Sequence, residues 1–251
     1  MTRLKRNHPL PLYVQLYETL RADIQQQRLK PHQQIPSERE LCERFQVSRM
    51  TVRQALVDLS RGGFIYSRVG KGTFVSAPKI DQQLKTLTGF SQEMTSRGAA
   101  PASRVLDAKV QPAGDDIAQM LRIPVGSEVV ALTRVRLADG VPLAIETASL
   151  PHNLCPHLLR HDFSVESLYN VLEHEYGYRL IRADQTIEAA LAGPREISLL
   201  RLVPPAAVLV MERLTFTDQD ILIEYVQSTY RGDRYKFRSA LAPRQEARAV
   251  G

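Results

Sequence analysis

Residues 36–56 read Pro-Ser-Glu-Arg-Glu-Leu-Cys-Glu-Arg-Phe-Gln-Val-Ser-Arg-Met-Thr-Val-Arg-Gln-Ala-Leu, and this stretch decides the fold of the first part of the chain. Ser37 followed by Glu40 is a capping box, which predicts a helix beginning at Ser37. Gln46 and Val47 interrupt this helix, and Ser48 can cap a second one. Two short helices joined by so brief a turn predict a helix-turn-helix.

The second helix carries an apolar stripe of Val52, Leu56 and Leu59, which should face the core. The side chains in its first two turns that lie away from this stripe are those of Arg49, Thr51, Arg53 and Gln54. A recognition helix needs long donors near its N-terminus to reach base edges in the major groove. A basic helical face alone is more often only a solvated surface.

Residues 64–75 favour the DNA-reading interpretation, because they predict a β-hairpin directly after the second helix. Gly70 and Gly72 flank Lys71 at its tip, and glycine permits the positive φ of a tight turn and a close approach to a ligand. Lys71 is placed for a phosphate or the minor groove. A helix-turn-helix followed by a basic hairpin predicts a winged helix.

Three motifs in this region resemble the signature of the GntR family of bacterial transcription regulators: Pro-Ser-Glu-Arg-Glu-Leu, Val-Ser-Arg-Met-Thr-Val-Arg-Gln-Ala-Leu and Gly-Lys-Gly-Thr-Phe-Val. The chain departs from the family pattern at residues 29–35, where the usual glycine-containing turn is replaced by Leu-Lys-Pro-His-Gln-Gln-Ile. The DNA contacts implied by the resemblance are Arg39, Arg49, Thr51, Arg53 and Gly70; the helix and wing positions add Gln54 and Lys71.

Composition limits the class of protein. The chain has 251 residues, of which 43% are hydrophobic, enough for two cored domains. We expect no membrane partner, because no run of about 18 apolar residues occurs, and no signal peptide. Two cysteines, Cys42 and Cys155, do not make a disulfide framework, so we expect the cytoplasm.

Charge is unevenly distributed. Residues 1–78 hold 13 Lys and Arg against 6 Asp and Glu, whereas residues 79–251 hold 20 against 21. A polyanion such as double-stranded DNA should therefore meet the first third. The predicted organisation is a winged helix-turn-helix DNA-binding domain at 1–78, a polar linker at 79–87 and a second domain at 88–245.

The second domain contains two similar units 79 residues apart. Arg134 corresponds to Arg213 and, after a one-residue slip, Glu146 corresponds to Glu224. Each unit predicts a short helix, a strand, a turn and a return strand. Two such hairpins side by side predict an antiparallel sheet with helices, so the whole chain is predicted to be α+β.

Strand alternation places Arg134 and Arg136 on one face of their strand, and Glu224, Val226, Ser228 and Tyr230 on one face of another. Ser91 can cap a short helix ending near Arg97. If these groups converge, they form a pocket for a phosphorylated polyhydroxy compound, because arginine and free helix N–H groups bind phosphate. The residues alone leave simple pairing across an exposed sheet equally open.

Residues 88–238 resemble the effector-sensing UTRA domain of the HutC subfamily, whose fold is similar to chorismate lyase. The matching motifs begin at Thr88, Arg134, Glu146, Ser167 and Glu224. Within the subfamily the likeness is greatest to repressors of N-acetylglucosamine utilisation. The resemblance implies a phosphate site of Phe90, Ser91, Arg134 and Arg136, and a sugar site of Glu146, Ser167, Tyr169, Glu224 and Tyr230.

The sequence therefore predicts a homodimeric repressor that a small anionic metabolite, N-acetylglucosamine 6-phosphate or glucosamine 6-phosphate, releases from its operator. One alternative is another effector: a carboxylate such as urocanate, a phosphonate or a different sugar phosphate. A second alternative is a lyase-like enzyme, although no catalytic residues stand out. His152, Cys155, His157 and His161 are interpreted as a polar loop, and no metal or cofactor is expected.

Overall fold

The computed structural model describes residues 4–68, 70–76 and 78–241. The predicted DNA-binding domain thus includes residues 1–3, 69 and 77, which lie outside the described residues. The same is true of residues 242–245 at the end of the predicted second domain.

The first domain is a winged helix, as predicted. Its helices are α1 (Leu12–Gln25), α2 (Glu38–Phe45) and α3 (Arg49–Arg61), and its wing is the antiparallel pair β1 (Ile65–Arg68) and β2 (Gly72–Val75). Leu16, Leu41 and Val52, one from each helix, are fully buried together. Burial of this shared apolar surface holds the three helices at fixed angles and so presents α3 at the surface.

Both predicted caps of the helix-turn-helix are confirmed. The Ser37 hydroxyl accepts the Glu40 amide at 3.3 Å, and the Glu40 carboxylate accepts the Ser37 amide at 2.8 Å. Gln46 ends α2 with a left-handed φ of 55°, and Ser48 caps α3 by accepting the Thr51 amide at 3.2 Å. These local bonds satisfy helix-terminal donors and fix the turn between the helices.

The second domain is a six-stranded antiparallel sheet, within the described residues, with helices on its faces. Its strands are β4 (Pro101–Pro112), β5 (Glu128–Ala138), β6 (Val141–Pro151), β7 (Leu180–Leu191), β8 (Ala207–Thr217) and β9 (Leu222–Arg231), in the spatial order β4-β5-β6-β9-β8-β7. The helices are α4 (Phe90–Ser96), α5 (Asp115–Leu121), α6 (Leu168–His174) and α7 (Pro194–Leu200), and a 3-10 turn is present at Leu158–Arg160.

The predicted repeat is confirmed and is longer than the sequence indicated. Each unit runs helix, strand, helix, strand, strand: α4-β4-α5-β5-β6 and then α6-β7-α7-β8-β9. A shift of 79 residues carries β4, α5 and β5 onto β7, α7 and β8. Because β6 and β9 are neighbours at the centre of the sheet, the two units are arranged about a pseudo-twofold axis between them.

The polar segment 79–87, predicted to be a linker, contains a strand. β3 (Ile80–Gln83) pairs in parallel with β10 (Tyr235–Arg238), and the Ile80 and Leu84 amides donate to the Arg234 and Arg238 carbonyls at 2.8 and 2.9 Å. The chain that leaves the wing is therefore attached to the second domain before α4 begins.

Candidate functional site

The side chains that are predicted to contact DNA lie at the exposed N-terminal end of α3 and on α2. Arg49 has 79% of its side chain exposed and lies 3.4 Å from the Glu38 carboxylate, and Arg53 is exposed one turn later. Arg39 on α2 is 82% exposed. Surface ion pairs of this kind are weak, so these guanidiniums can turn toward a nucleic acid at little cost.

Two of the residues that are predicted to contact DNA already make side-chain hydrogen bonds to nearby residues of α3 or its cap. The Thr51 hydroxyl lies 2.9 Å from the Ser48 hydroxyl, and the Gln54 amide donates to the Asp58 carboxylate at 3.1 Å. A Thr51 or Gln54 contact to DNA would have to replace or share these bonds.

The wing tip has the backbone that the glycines were expected to provide. Gly70 and Gly72 have φ values of 71° and 106°, and Lys71 between them is exposed. The Gln34 amide donates to the Lys71 carbonyl at 3.2 Å and holds the tip against the domain. A Cβ on Gly72 would lie 2.4 Å from the Gln34 Nε2 atom, so a side chain here would displace the Gln34 amide and would be strained by the positive φ.

A buried cavity lies on one face of the sheet, between the ends of α4 and α6. Eight of the nine predicted effector residues line it: Phe90, Arg134, Arg136, Glu146, Ser167, Tyr169, Glu224 and Tyr230. The ninth, Ser91, accepts a hydrogen bond from Arg136 at 3.0 Å. The structure thus brings all nine together, while their roles toward a ligand stay predictions.

Strand register builds the floor of this cavity. Arg134 on β5 is directly opposite Glu146 on β6, which is opposite Ser228 on β9, which is opposite Met211 on β8. Side chains in such a row point to the same face of the sheet. The predicted face of β9 is present as well, because Glu224, Val226, Ser228 and Tyr230 all line the cavity.

Two buried guanidiniums dominate the electrostatics of the cavity. Arg134 donates to the Glu146 carboxylate at 2.5 Å, and Arg136 approaches the same oxygen at 3.7 Å. Burial raises the pKa of Glu146, but the charges of Arg136 and Arg134 outweigh it and hold that pKa below its usual value. Arg136 also lies over the Phe90 ring, 4.6 Å from its centroid.

Both arginines keep unused donors. The Nε and Nη1 atoms of Arg134 and Arg136 are buried and have no hydrogen-bond partner among the described residues, and the two residues are only 2% and 3% exposed. Buried charged donors without acceptors are costly. One carboxylate for two guanidiniums leaves the cavity with excess positive charge, which an anionic ligand would neutralise.

The predicted capping role of Ser91 is wrong. α4 begins two residues earlier than a Ser91 cap requires, with Gly89 as its N-cap and no side-chain cap, and the Ser91 hydroxyl is bonded to Arg136 instead. Glycine is acceptable at an N-cap because it leaves the backbone free to adopt the required extended conformation. Ser91 therefore orients an arginine and does not terminate a helix.

The opposite side of the cavity is acidic and phenolic. The Glu224 carboxylate accepts the Tyr169 and Thr215 hydroxyls at 3.1 and 3.0 Å. Burial, reinforced by the Glu146 charge, raises the pKa of Glu224 to about 7. Burial also raises the pKa of Tyr230 to about 12. These groups can accept and donate hydrogen bonds to hydroxyl or amide groups of a ligand.

Among the cavity residues that were absent from the predicted site are Gln82, Arg213 and Ser228. Arg213 donates to the Gln185 side chain at 3.1 Å and is the repeat mate of Arg134. The repeat contained the signal for Arg213, since a pseudo-twofold axis that brings Glu146 and Glu224 to one site brings Arg134 and Arg213 there as well.

The cavity is nearly closed. It encloses about 30 Å³ of free space, room for a few water molecules at most. A sugar phosphate would have to separate the side chains that now meet inside it.

Two further observations concern metal ligands and membrane-spanning helices. Within residues 4–68, 70–76 and 78–241, no group of three or more His, Cys, Asp or Glu side chains is arranged to hold a metal ion. Of the helices in the part of the chain that the structure describes, none is long and apolar enough to cross a membrane.

Comparisons with known proteins agree with both halves of the chain. Residues 12–75 match the family described as "Bacterial regulatory proteins, gntR family", and residues 96–236 match the UTRA domain. The HTH-type transcriptional repressor NagR of Bacillus subtilis is 38% identical over 93% of this chain and 96% of its own length. The HTH-type transcriptional repressor PhnF of Mycolicibacterium smegmatis is 36% identical over 84% of this chain and 86% of its own length.

Among solved structures, the crystal structure of PhnF from Mycobacterium smegmatis superposes with a TM-score of 0.63 at 30% identity. The superposition covers 92% of this chain and 99% of that one, so both domains of this chain have their counterpart there.

Proposed function

Because the chain belongs to the GntR family of bacterial transcription regulators and carries a UTRA domain, we propose that a phosphorylated amino sugar releases it from its operator. It is a DNA-binding transcriptional repressor of the HutC type and not an enzyme. The proposed effector is N-acetylglucosamine 6-phosphate or glucosamine 6-phosphate.

One observation carries this proposal: two buried guanidiniums share a single carboxylate and retain four N–H-bearing atoms without acceptors. A phosphate group brings several acceptor oxygens and negative charge, and arginine forks bind it with charge-assisted bonds. Ser91, already bonded to Arg136, lies beside the same site. The phosphate should therefore supply most of the affinity.

The other side of the cavity should select the sugar. Glu146, Glu224, Tyr169 and Tyr230 offer acceptors and donors for hydroxyl and amide groups, and Ser167 stands at the start of α6. A buried polar group left without its partner costs about 1–3 kcal/mol. A carboxylate such as urocanate, or a phosphonate, would use the arginines but leave this side of the cavity unmatched.

For the whole molecule we propose that residues 1–78 read the operator and that residues 88–245 bind the effector and form a homodimer in the cytoplasm. DNA contacts would come from Arg39, Arg49, Thr51, Arg53, Gln54, Gly70 and Lys71. A dimer is supported by exposed apolar side chains on the two edge strands, such as Val110 on β4 and Leu191 on β7, 40% and 77% exposed. Effector binding would change the spacing of the two reading heads and so release the half-sites.

The test is calorimetry on the full-length protein with the two amino-sugar phosphates, the unphosphorylated sugars and urocanate. We expect binding of a sugar phosphate, and binding of the matching free sugar at least about tenfold more weakly. Equal affinity with and without the phosphate would contradict the proposal, and so would binding of urocanate alone.

A further inference from the structure

A second cavity adjoins the first one, and the linker forms one of its sides. It has a volume of about 250 Å³ and is lined by residues 82–87 on one side and by part of β7 on the other. Gln82 and Arg213 border both cavities, so these two side chains form the wall between them. The nearly closed site therefore has room beside it in the direction of the linker.

Gln82 is the unusual member of this wall. It is 6% exposed, and its side-chain oxygen is buried with no hydrogen-bond partner in the part of the chain that the structure describes. Its backbone pairs with β10 opposite Phe237, so the pairing of β3 with β10 fixes the position of the side chain at the cavity. A buried carbonyl oxygen without a donor costs free energy, and a ligand with a hydroxyl or amide N–H would satisfy it.

We propose that Gln82, contributed by the linker, is an effector-binding residue that accepts a hydrogen bond from the hydroxyl- or amide-bearing part of the effector. This inference rests on the proposed function. The arginines bind the anionic end, and the ligand displaces the wall between the two cavities so that its other end lies against β3.

This contact would act on the segment that joins the two domains. β2 of the wing ends at Val75, and β3 begins five residues later at Ile80. A ligand that moves or fixes Gln82 therefore acts directly on the strand that attaches the DNA-reading domain to the effector domain.

The experiment compares full-length wild type with Gln82→Met, which keeps the length and shape of the side chain but removes the amide. N-acetylglucosamine 6-phosphate is titrated by calorimetry, and the same ligand is used to release a labelled operator. We expect the variant to bind about tenfold more weakly and its release curve to shift by the same factor. Gln119→Leu, on an exposed position of α5 that borders neither cavity, should match wild type.

Folding is checked by thermal unfolding without ligand. Since no described residue donates to the Gln82 oxygen, its removal should not lower the unfolding temperature. If Gln82→Met unfolds early, Gln82→Leu replaces it in the same titration. Binding within twofold of wild type by the folded variant overturns the inference, whereas failure of wild type itself to bind any sugar phosphate refutes the proposed function.

Discussion

Arg134 and Glu146 face each other across β5 and β6, and their ion pair occupies the place where the arginine donors converge. The Glu146 carboxylate is thus a built-in anion that an incoming phosphate must displace or share. Among the described residues one carboxylate serves both Arg134 and Arg136, so two positive charges share one negative charge in the absence of a ligand.

Glu146 is both the counterion of the two arginines and a competitor of an incoming phosphate. Replacing Glu146 with glutamine should separate these two roles. The uncharged amide leaves two buried guanidiniums without a counterion, and we expect a stability loss of up to about 3–5 kcal/mol. Added phosphate should restore more stability to this variant than to wild type, because it now meets no competing carboxylate. Urea unfolding with and without inorganic phosphate measures both quantities; equal stabilisation of the two proteins by phosphate would contradict the competition.

Arg134→Ala should give a repressor that cannot be released. The change removes the donors to the phosphate but leaves the winged helix 1–78 untouched, so operator affinity without effector should stay at the wild-type value. Gel-shift titration with N-acetylglucosamine 6-phosphate measures the release. Arg104→Ala, an exposed arginine on β4, is the matched control and should respond as wild type does.

The sequence alone predicts those features of the site that depend on local patterns in the chain. Ser37 with Glu40, and Ser48 before Arg49, fix the helix-turn-helix because a cap bonds within four residues. The strand faces of Arg134 and Tyr230 followed from simple alternation. The repeat followed from similarity at a fixed spacing.

The features that could not be predicted from the sequence depend on contacts between residues that are far apart in the chain. Local sequence predicts Ser91 as a helix cap, yet its hydroxyl is bonded to Arg136, which is 45 residues away. Gln82 lies in a polar segment that shows no strand periodicity, and it reaches the cavity only because β3 pairs with β10 about 150 residues later. The sequence repeat aligns Arg213 with Arg134, but the position of Arg213 in the cavity follows only from the order of the strands in the sheet.

The raised pKa of Glu224 predicts a pH-dependent stability. The folded-state pKa is about 7, against 4.5 for the ordinary carboxyl. The folded protein therefore holds this proton more tightly than the unfolded chain, and stability should fall as pH rises from about 4.5 to about 7, by roughly 3 kcal/mol at most. Glu224→Gln should remove this component, so the variant should gain stability relative to wild type as pH rises.

Thermal unfolding between pH 5 and pH 8 measures the difference between wild type and Glu224→Gln. Glu188→Gln on β7 is the control, because Glu188 is exposed and should leave the pH profile as it is. Parallel profiles of wild type and Glu224→Gln would show that Glu224 ionises in the folded protein as it does in the unfolded chain.

The two parts of the DNA interface should respond differently to alanine. Arg49→Ala and Arg53→Ala should each cost about 1–3 kcal/mol of specific operator binding, because base-edge contacts discriminate between sequences. Lys71→Ala at the wing tip should weaken operator and random duplex alike and reduce the salt slope by about one. Fluorescence anisotropy over a range of salt concentrations measures both. Undiminished operator binding by the Arg49→Ala, Arg53→Ala double variant would exclude α3 as the reading helix.

Dimerisation should depend on the edge strands of the sheet. Val110 and Leu191 are exposed apolar side chains on the two edge strands of the sheet, β4 and β7, where a second copy could cover them. Aspartate at both positions should leave a folded monomer of 28.3 kDa by light scattering at micromolar concentration. Operator affinity should then fall by at least about a hundredfold, since a single reading head loses the effective concentration of its partner.

Val165→Asp, at a 76% exposed apolar residue outside the strands, should leave the dimer intact. A dimer mass for the double aspartate variant would place the interface elsewhere.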